Sequence, residues 1–169
     1  MTEHRQTGHS DEEPAGALVP RRAIAIVPSG DGEPLQLGPI QMRMLEDGST
    51  TEHRLGIALI RVPPHTKGPA QHWHARHDEG FYVVAGTAHF TTGDVEHEAP
   101  TGTLVMVPPG APHTFANHGD EECVLLNTFT PDLYVQYFRD LAGVFAAETA
   151  PSKETLIELM SRYQTFPAD

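Results

Sequence analysis

The sequence has a single cysteine, Cys123, which excludes an internal disulfide and a zinc site built from several cysteines. Basic residues are also scarce, because 11 Lys and Arg stand against 23 Asp and Glu, for a formal net charge of −12 at pH 7. A chain this acidic repels phosphate backbones, so we expect no nucleic-acid partner. Histidine, in contrast, is frequent: the chain has 11.

Long apolar runs are missing as well. No stretch approaches the roughly 18 apolar residues of a membrane span, and residues 1–10 lack the apolar core of a secretory signal. We therefore expect a cytoplasmic protein with no membrane partner.

The chain's 169 residues fit one domain, and its 15 Gly and 15 Pro favour many turns, hence a β-rich fold. Residues 1–20 are polar and are expected to form a disordered arm. From there to residue 130, short apolar runs bounded by turn residues recur at the spacing of a sandwich or barrel. The predicted runs are Ala23–Val27, Gln41–Leu45, Leu55–Val62, His72–His74, Gly80–Val84, Ala88–Thr91, Val95–Ala99, Leu104–Val107, Thr114–Ala116 and Cys123–Phe129.

After Phe129 the apolar residues recur at helical spacing instead. They are Tyr134, Tyr137, Phe138, Leu141 and Phe145. The pattern predicts a helix with Thr130 as N-cap and Pro131 as its first residue, and a second helix from Ser152. Residues 131–169 are thus expected to form a helical appendix that packs on the barrel.

One group of residues has the composition of a metal site. His72 and His74 stand two positions apart, so in an extended strand both imidazoles project to one face. Glu79 opens the next apolar run, and His113 follows a proline-rich turn, Val107–Pro112. Three imidazoles and a carboxylate suit a divalent transition metal such as Fe, Mn, Ni, Co, Cu or Zn, and they leave coordination positions open for chemistry.

The spacing of these residues resembles that of a known family. The two segments read His72-x-His74-x4-Glu79-x6-Gly86 and Gly102-x5-Pro108-x-Gly110-x2-His113-x3-Asn117. They resemble the two motifs of the cupin superfamily, except that the family's leading glycine would fall at Thr66 and Gly68 stands nearby instead. The resemblance implies an all-β, cupin-type jelly-roll barrel with C-terminal helices. It also implies that His72, His74, Glu79 and His113 bind one divalent metal.

Alternation along the strands predicts an apolar, aromatic cavity around the metal, because residues two apart share a face. The candidate substrate-pocket residues are Met42, Met44, Phe81, Val83, Met106 and Phe115. Arg76 is the only basic residue within the motif segments, so no clamp for a dicarboxylate or phosphate substrate is evident. Lys67 and Arg61 come closest along the chain, and both are expected to be solvated. The remaining histidines are interpreted as surface or loop residues, with His65 and His77 beside the metal motif: His4, His9, His53, His65, His77, His89, His97 and His118.

The resemblance and the apolar cavity favour a metal-dependent oxygenase, similar to quercetin dioxygenases, that acts on a phenolic, aromatic or enolisable small molecule. In this hypothesis Glu79 is the catalytic base that takes the substrate's hydroxyl proton, and dioxygen is the second substrate. The same site also suits a non-oxidative cyclase, isomerase or lyase in which Glu79 or His77 moves protons. A non-catalytic cupin that binds a small molecule is the third alternative. The acidic surface and the terminal amphipathic helices further favour a homodimer. Either the N-terminal arm or the run Ala23–Val27 would cross to the neighbour, as is common among proteins similar to this one.

Overall fold

The computed structural model describes residues 23–147 and 150–168, so the predicted arm, with His4 and His9, lies outside the described residues. Strands dominate the described part. They are β1 (Glu33–Leu37), β2 (Ile40–Asp47), β3 (Gly56–Val62), β4 (Thr66–Lys67), β5 (His72–His74), β6 (Asp78–Ala85), β7 (Thr87–Thr92), β8 (Val95–Pro100), β9 (Leu104–Val107), β10 (Thr114–Asn117), β11 (Cys123–Thr130) and β12 (Thr165–Pro167). The two helices are α1 (Val135–Ala147) and α2 (Lys153–Arg162).

The strands form two main antiparallel sheets. One has the order β1-β2-β3-β11-β6-β9 and the other the order β4-β10-β7-β8. Apolar side chains from both sheets meet in one core, among them Ile60 and Leu125 from the first sheet and Phe90 from the second. The predicted all-β jelly roll with C-terminal helices is therefore confirmed.

Strand β9 shows how register decides which side chains face the core. Val107 pairs with Glu79 and Met106 pairs with Gly80. Directly paired residues share a face, so Val107 points inward with Glu79 and Met106 points outward. The prediction that Met106 lines the pocket is thus wrong, and its side chain is 58 % exposed.

The N-terminal part of the described chain also differs from the prediction. Ala23–Val27 forms no strand, and Ile24 and Ile26 are exposed. The first strand is instead β1, which lies between the first two predicted runs. It pairs along its whole length with β2. The crossing of Ala23–Val27 to a second subunit, and the homodimer itself, stay predictions.

The first helix begins later than predicted. Strand β11 continues to Thr130, which pairs with Asp78, so Thr130 belongs to the sheet and does not cap a helix. Helix α1 starts at Val135. The predicted start of the second helix is correct, because the Ser152 side chain accepts a hydrogen bond from the Thr155 backbone N–H at 3.1 Å.

Neither helix of the described residues combines the length and the apolar composition that a membrane span requires.

The C-terminal segment is joined to the barrel in two ways. The Arg139 guanidinium on α1 donates to both carboxylate oxygens of Glu33 on β1, at 3.0 and 2.7 Å, which fixes the helix against the sheet. After α2, β12 pairs with β5, placing Thr165 opposite His74. The segment from residue 131 onward is thus more than an outer appendix, since its last strand lies beside the predicted metal ligands.

Candidate metal centre

Three neighbouring elements bring the four predicted ligands together. His72 and His74 lie on β5, Glu79 lies on the inner face of β6, and His113 directly precedes β10. Two backbone hydrogen bonds join His72 and His113, at 3.0 and 2.8 Å. All four side chains are buried.

The ligand atoms converge on one point. The candidate donor atoms of His72, His74 and His113 lie within 4.8 Å of one another. Glu79 Oε2 lies 2.9 Å from His74 Nε2 and 3.1 Å from His113 Nε2. The spacing-based prediction of a local cluster therefore agrees with the geometry.

The second nitrogen of two rings is held by backbone carbonyls. His72 Nδ1 lies 2.9 Å from the carbonyl oxygen of Ala70, and His113 Nδ1 lies 3.1 Å from that of Ala111. Since a carbonyl only accepts, each Nδ1 carries a hydrogen, and Nε2 is the nitrogen of each ring that faces the cluster and can bind a metal. Histidines that bind metals are oriented in this way.

His74 is held by side chains from the C-terminal segment. Its Nδ1 lies 3.1 Å from the Thr165 hydroxyl and contacts the Tyr134 hydroxyl. The T-shaped packing of the His74 and Tyr134 rings, with centroids 4.6 Å apart, further restricts the imidazole. The C-terminal segment thus helps to fix one predicted ligand.

The charge states match a cation site. Burial lowers the pKa of His72 to about 4, reinforced by nearby His113 and His74, so the ring is neutral at pH 7. Burial would raise the pKa of Glu79, but hydrogen bonds from His113 and His74 outweigh it and hold that pKa below its usual range. Asn127 Nδ2 donates to Glu79 Oε1 at 3.0 Å and further favours the carboxylate.

These observations test whether the residues fit a metal. Nε2 of His74 and Nε2 of His113 both lie at hydrogen-bond distance from Glu79 Oε2, at 2.9 and 3.1 Å. A divalent cation would take the place of the protons shared at these contacts, because metal ligands bind in their deprotonated form. Three imidazole nitrogens and one carboxylate are the donor set of a first-row divalent metal, and the residues fit it.

His77 does not lie at the surface or loop position that is predicted for it beside the metal motif. Its side chain is 2 % exposed, and its ring centroid lies 4.3 Å from that of His74 and 4.1 Å from that of Tyr134. Burial lowers the pKa of His77 to about 4. Within the described residues its Nε2 has no hydrogen-bond partner. The only signal in the sequence was its position beside the metal motif, between Arg76 and Asp78.

The other described histidines agree better with the expectation of surface positions. His89 is half-buried and packs on the His118 ring, 4.5 Å away. The exposed ones are His53, His65, His97 and His118. Histidines outside the cluster therefore offer matched controls for those inside it.

A cavity of about 260 Å³ leads from the cluster to the surface. Its inner end is lined by buried residues, including His72, Glu79 and His113. This volume lies near the lower end of the range for small-molecule sites, roughly 300–1,000 Å³. The cluster is thus open to a ligand of modest size.

Three of the six predicted pocket residues line this cavity: Met42, Phe81 and Phe115. Met44 and Val83 do not line it but are buried elsewhere in the core. At the cavity's edge, a Cβ on Gly68 would come within 2.4 Å of the Phe115 carbonyl oxygen. Glycine is therefore required there for β4 and β10 to approach each other.

The remaining walls come largely from the C-terminal segment, which was expected only to pack on the barrel. These lining residues are Tyr134, Tyr137, Phe138, Leu141 and Phe145 in and before α1, and Lys153, Leu156, Ile157 and Met160 in α2. The helical apolar stripe was visible in the sequence. Its use as a cavity wall was not, because that depends on where the helices dock.

The two basic residues nearest to the motifs lie in different places, one lining the cavity and one outside it. Lys67, expected to be a solvated charge, lines the cavity, as does Lys153. Arg61 is exposed outside the cavity, as expected, and its guanidinium lies 2.6 Å from the Glu122 carboxylate. Cations from outside the motif segments are therefore available at the cavity, whereas Arg76, the one basic residue within those segments, does not line it.

Comparison with known proteins adds family context. Residues 58–129 match the family model described as a Cupin domain, and this range contains all four predicted ligands. Protein SchB from Streptomyces halstedii is 32 % identical over 72 residues, which are 43 % of this chain and 50 % of SchB. The match thus spans half the length of that curated relative.

Solved structures show the same fold. A sugar phosphate isomerase of the cupin superfamily from Silicibacter pomeroyi is 26 % identical, with a TM-score of 0.51 over 56 % of this chain and 60 % of that one. A Cupin 2 conserved barrel domain protein from Salinispora arenicola is 21 % identical, with a TM-score of 0.55 over 70 % of this chain and 98 % of that one. Both share the barrel that carries the histidine and glutamate cluster in this chain.

Proposed function

The chain belongs to the cupin superfamily, and we propose that it is a metal-dependent oxygenase, similar to quercetin dioxygenases, acting on a phenolic, aromatic or enolisable small molecule. One observation carries the proposal: a cluster of three imidazoles and one carboxylate lies at the inner end of an aromatic cavity. One scaffold hosts many reactions, so the proposal depends on this site and not on the fold.

The metal would be held by Nε2 of His72, His74 and His113 and by the Glu79 carboxylate. A bound divalent transition metal supplies Lewis acidity and, where the ion is redox-active, reactivity toward dioxygen. Both oxygen atoms of dioxygen enter the product of a dioxygenation, so the reaction consumes no external reductant.

Glu79 is placed to accept a proton from the substrate. Its Oε2 lies between the Nε2 atoms of His74 and His113, which leaves Oε1 to receive the proton of a substrate hydroxyl or enol. Because the pKa of Glu79 is held below its usual range, the group is a carboxylate at pH 7 and ready to accept.

Asn127 orients the acceptor of this transfer. Its Nδ2 donates to Glu79 Oε1 at 3.0 Å and to the Gly80 carbonyl at 3.2 Å. Because the amide is itself buried and tied to the backbone, it fixes the carboxylate at the inner end of the cavity.

The cavity walls suit a ring. Phe81 and Phe115 line the inner half, with centroids 5.7 Å apart, and Tyr134 adds a third aromatic side chain. Such walls exclude water and pack against a flat apolar substrate in edge-to-face or offset geometry. They favour a phenolic or enolisable ring over a hydrophilic sugar.

The test combines metal analysis with oxygen uptake. Protein purified without added metal is analysed by elemental mass spectrometry, and oxygen consumption is measured with flavonols and simpler phenols. We expect near-stoichiometric Fe, Mn, Ni, Co or Cu and metal-dependent uptake. Both should be lost in His113→Ala and kept in His118→Ala, which removes an exposed histidine outside the cluster. Loaded protein that consumes no oxygen with any of these compounds would count against the oxygenase.

A non-oxidative isomerase, cyclase or lyase is the second candidate. It is favoured by the likeness to the protein named a sugar phosphate isomerase, at 26 % identity. Glu79 would then move a proton between substrate carbons. His77 would not, because it does not line the cavity. Zinc as the only bound metal, with conversion of an enolisable substrate under argon, would support this alternative. A protein that binds none of these metals would contradict both enzymatic candidates and leave the non-catalytic cupin that binds a small molecule.

A further inference from the structure

The two lysines of the chain line the same cavity. Lys67 and Lys153 are the only lysines in the sequence, and both line the cavity that leads to the metal cluster. Lys67 lies on β4, and Lys153 is the first residue of α2. The barrel and the helical segment thus each contribute one cation.

Exposure places these lysines at the mouth of the cavity. Both are exposed, whereas His72, Glu79 and His113 at the inner end are buried. The side chains between the two ends are mostly apolar, among them Leu156 and Phe115. A ligand that fills the cavity would therefore have a polar group at each end and an apolar body.

Neither lysine forms a close ion pair, although the carboxylate of Glu154, which follows Lys153, attracts its ammonium from a longer distance. In residues 23–147 and 150–168 no carboxylate oxygen lies within 4.0 Å of either ammonium. Several arginines are paired instead: Arg61 with Glu122 at 2.6 Å, Arg139 with Glu33 at 2.7 Å and Arg162 with Glu158 at 3.1 Å. Against a formal net charge of −12, two cations without such a partner at one cavity mouth form a local anion-attracting site.

We propose that the substrate carries a carboxylate that Lys67 and Lys153 bind at the mouth, while its hydroxyl or enol reaches Glu79. The position of the hydroxyl or enol at Glu79 rests on the proposed function, whereas the position of the carboxylate rests on the two lysines. The substrate class is then a hydroxyaromatic or enolisable acid whose two polar groups lie at opposite ends of an apolar body. A lysine ammonium suits this task because its flexible stem adjusts to the position of the anion.

The test compares two ligands of the same shape. The probes are 6-hydroxy-2-naphthoate, with hydroxyl and carboxylate at opposite ends of a flat ring system, and the neutral 6-hydroxy-2-naphthamide. Their Kd values are measured by calorimetry on zinc-loaded protein. We expect the carboxylate to bind about tenfold more tightly, equivalent to about 1.4 kcal/mol. The preference should weaken as salt is added, because the lysines are exposed.

Variants assign the preference to the lysines. Lys67→Met with Lys153→Met should abolish it, and the corresponding double arginine variant should restore it. Arg61→Met is the control, since it removes an exposed cation outside the cavity and should keep the preference. Equal binding of both probes by the unmodified protein would overturn the proposal, and so would a preference that survives the double methionine variant.

The outcome is independent of the oxygenase proposal. A lysine-dependent carboxylate preference in a protein that consumes no oxygen supports the anion site and counts against oxygenation. Oxygen uptake with the same KM for acid and amide supports oxygenation and overturns the anion site.

Discussion

The two ends of the cavity are built differently. The inner end is polar, buried and formed by strands, with His72 and His113 tied by paired backbone hydrogen bonds. The mouth is apolar with a cationic rim, partly exposed, and formed largely by α1 and α2. The chemistry is thus fixed by a ladder of strands, while recognition depends on helices that are held on the barrel by contacts between residues distant in sequence.

The strongest test of this contrast is loss of one ligand at the inner end. His113→Ala removes a donor from a buried cluster, so we expect metal affinity to fall by more than about 100-fold, beyond the effect typical of a supporting residue. Calorimetric titration with Zn²⁺ measures it. Unchanged affinity would mean that His113 is not a ligand, and His118→Ala provides the exposed control.

Removing the proton acceptor should leave the metal in place. Glu79→Gln keeps an oxygen donor and the shape of the side chain but cannot take a proton, so we expect kcat to fall by about 10²–10⁴ at full metal occupancy. Glu98→Gln, on the exposed face of β8, is the control. A variant with normal kcat would remove Glu79 from the role of base.

The inner end was predictable from the sequence because its information is local. His72 and His74 share a face by strand alternation alone, and Glu79 and His113 follow from motif spacing. The register of strand pairing determines which of the neighbouring side chains face the cavity. Phe81 faces the cavity as predicted, whereas Met106 faces outward because it pairs with Gly80.

The mouth was not predictable because its information is tertiary. The apolar period from Tyr134 to Phe145 predicted a helix but not its docking site. That site depends on contacts between distant residues, such as Arg139 with Glu33 and Thr165 with His74. The burial of His77 was not predictable for a similar reason, since Tyr134, whose ring packs on it, lies 57 positions further along the chain.

Burial of His77 should make the inner end sensitive to acid. Its pKa is about 4 in the folded protein, against an ordinary value of 6.5. Between these values the unfolded chain binds a proton that the folded chain does not. The contribution to stability is therefore fully present above pH 6.5 and is lost as the pH falls toward 4.

Urea denaturation of metal-free protein at pH 7.5 and 4.5 checks this expectation. The free energy of unfolding should decrease in both proteins when the pH is lowered. This decrease should be about 2–3 kcal/mol smaller in His77→Gln than in the unmodified protein. His118→Gln, at an exposed position, should match the unmodified protein. Identical pH dependence in all three would show that His77 titrates alike in the folded and unfolded states.

The two ends of the cavity are connected at one point, where β12 of the C-terminal segment supports the predicted ligand His74. Thr165→Val removes the hydroxyl that lies 3.1 Å from His74 Nδ1 but keeps the shape of the side chain. Supporting residues of this kind typically change metal affinity by about 10- to 100-fold, and we expect the lower value because the Tyr134 hydroxyl also contacts this nitrogen. Zn²⁺ titration measures it, with Thr92→Val on the exposed end of β7 as the control.

The smallest effect is expected at the mouth. Leu156→Ala shortens a partly exposed apolar wall residue of the cavity, so the substrate loses packing but no reacting group. We expect KM to rise about three- to tenfold, since only part of the roughly 1.5–3 kcal/mol of a fully buried leucine is at stake. The kcat should stay the same, because uniform binding is lost in ground and transition states alike. Leu133→Ala, exposed and outside the cavity, should change neither parameter. A fall in kcat in Leu156→Ala alone would show that the mouth also positions the reacting atoms, and the division between the two ends would then fail.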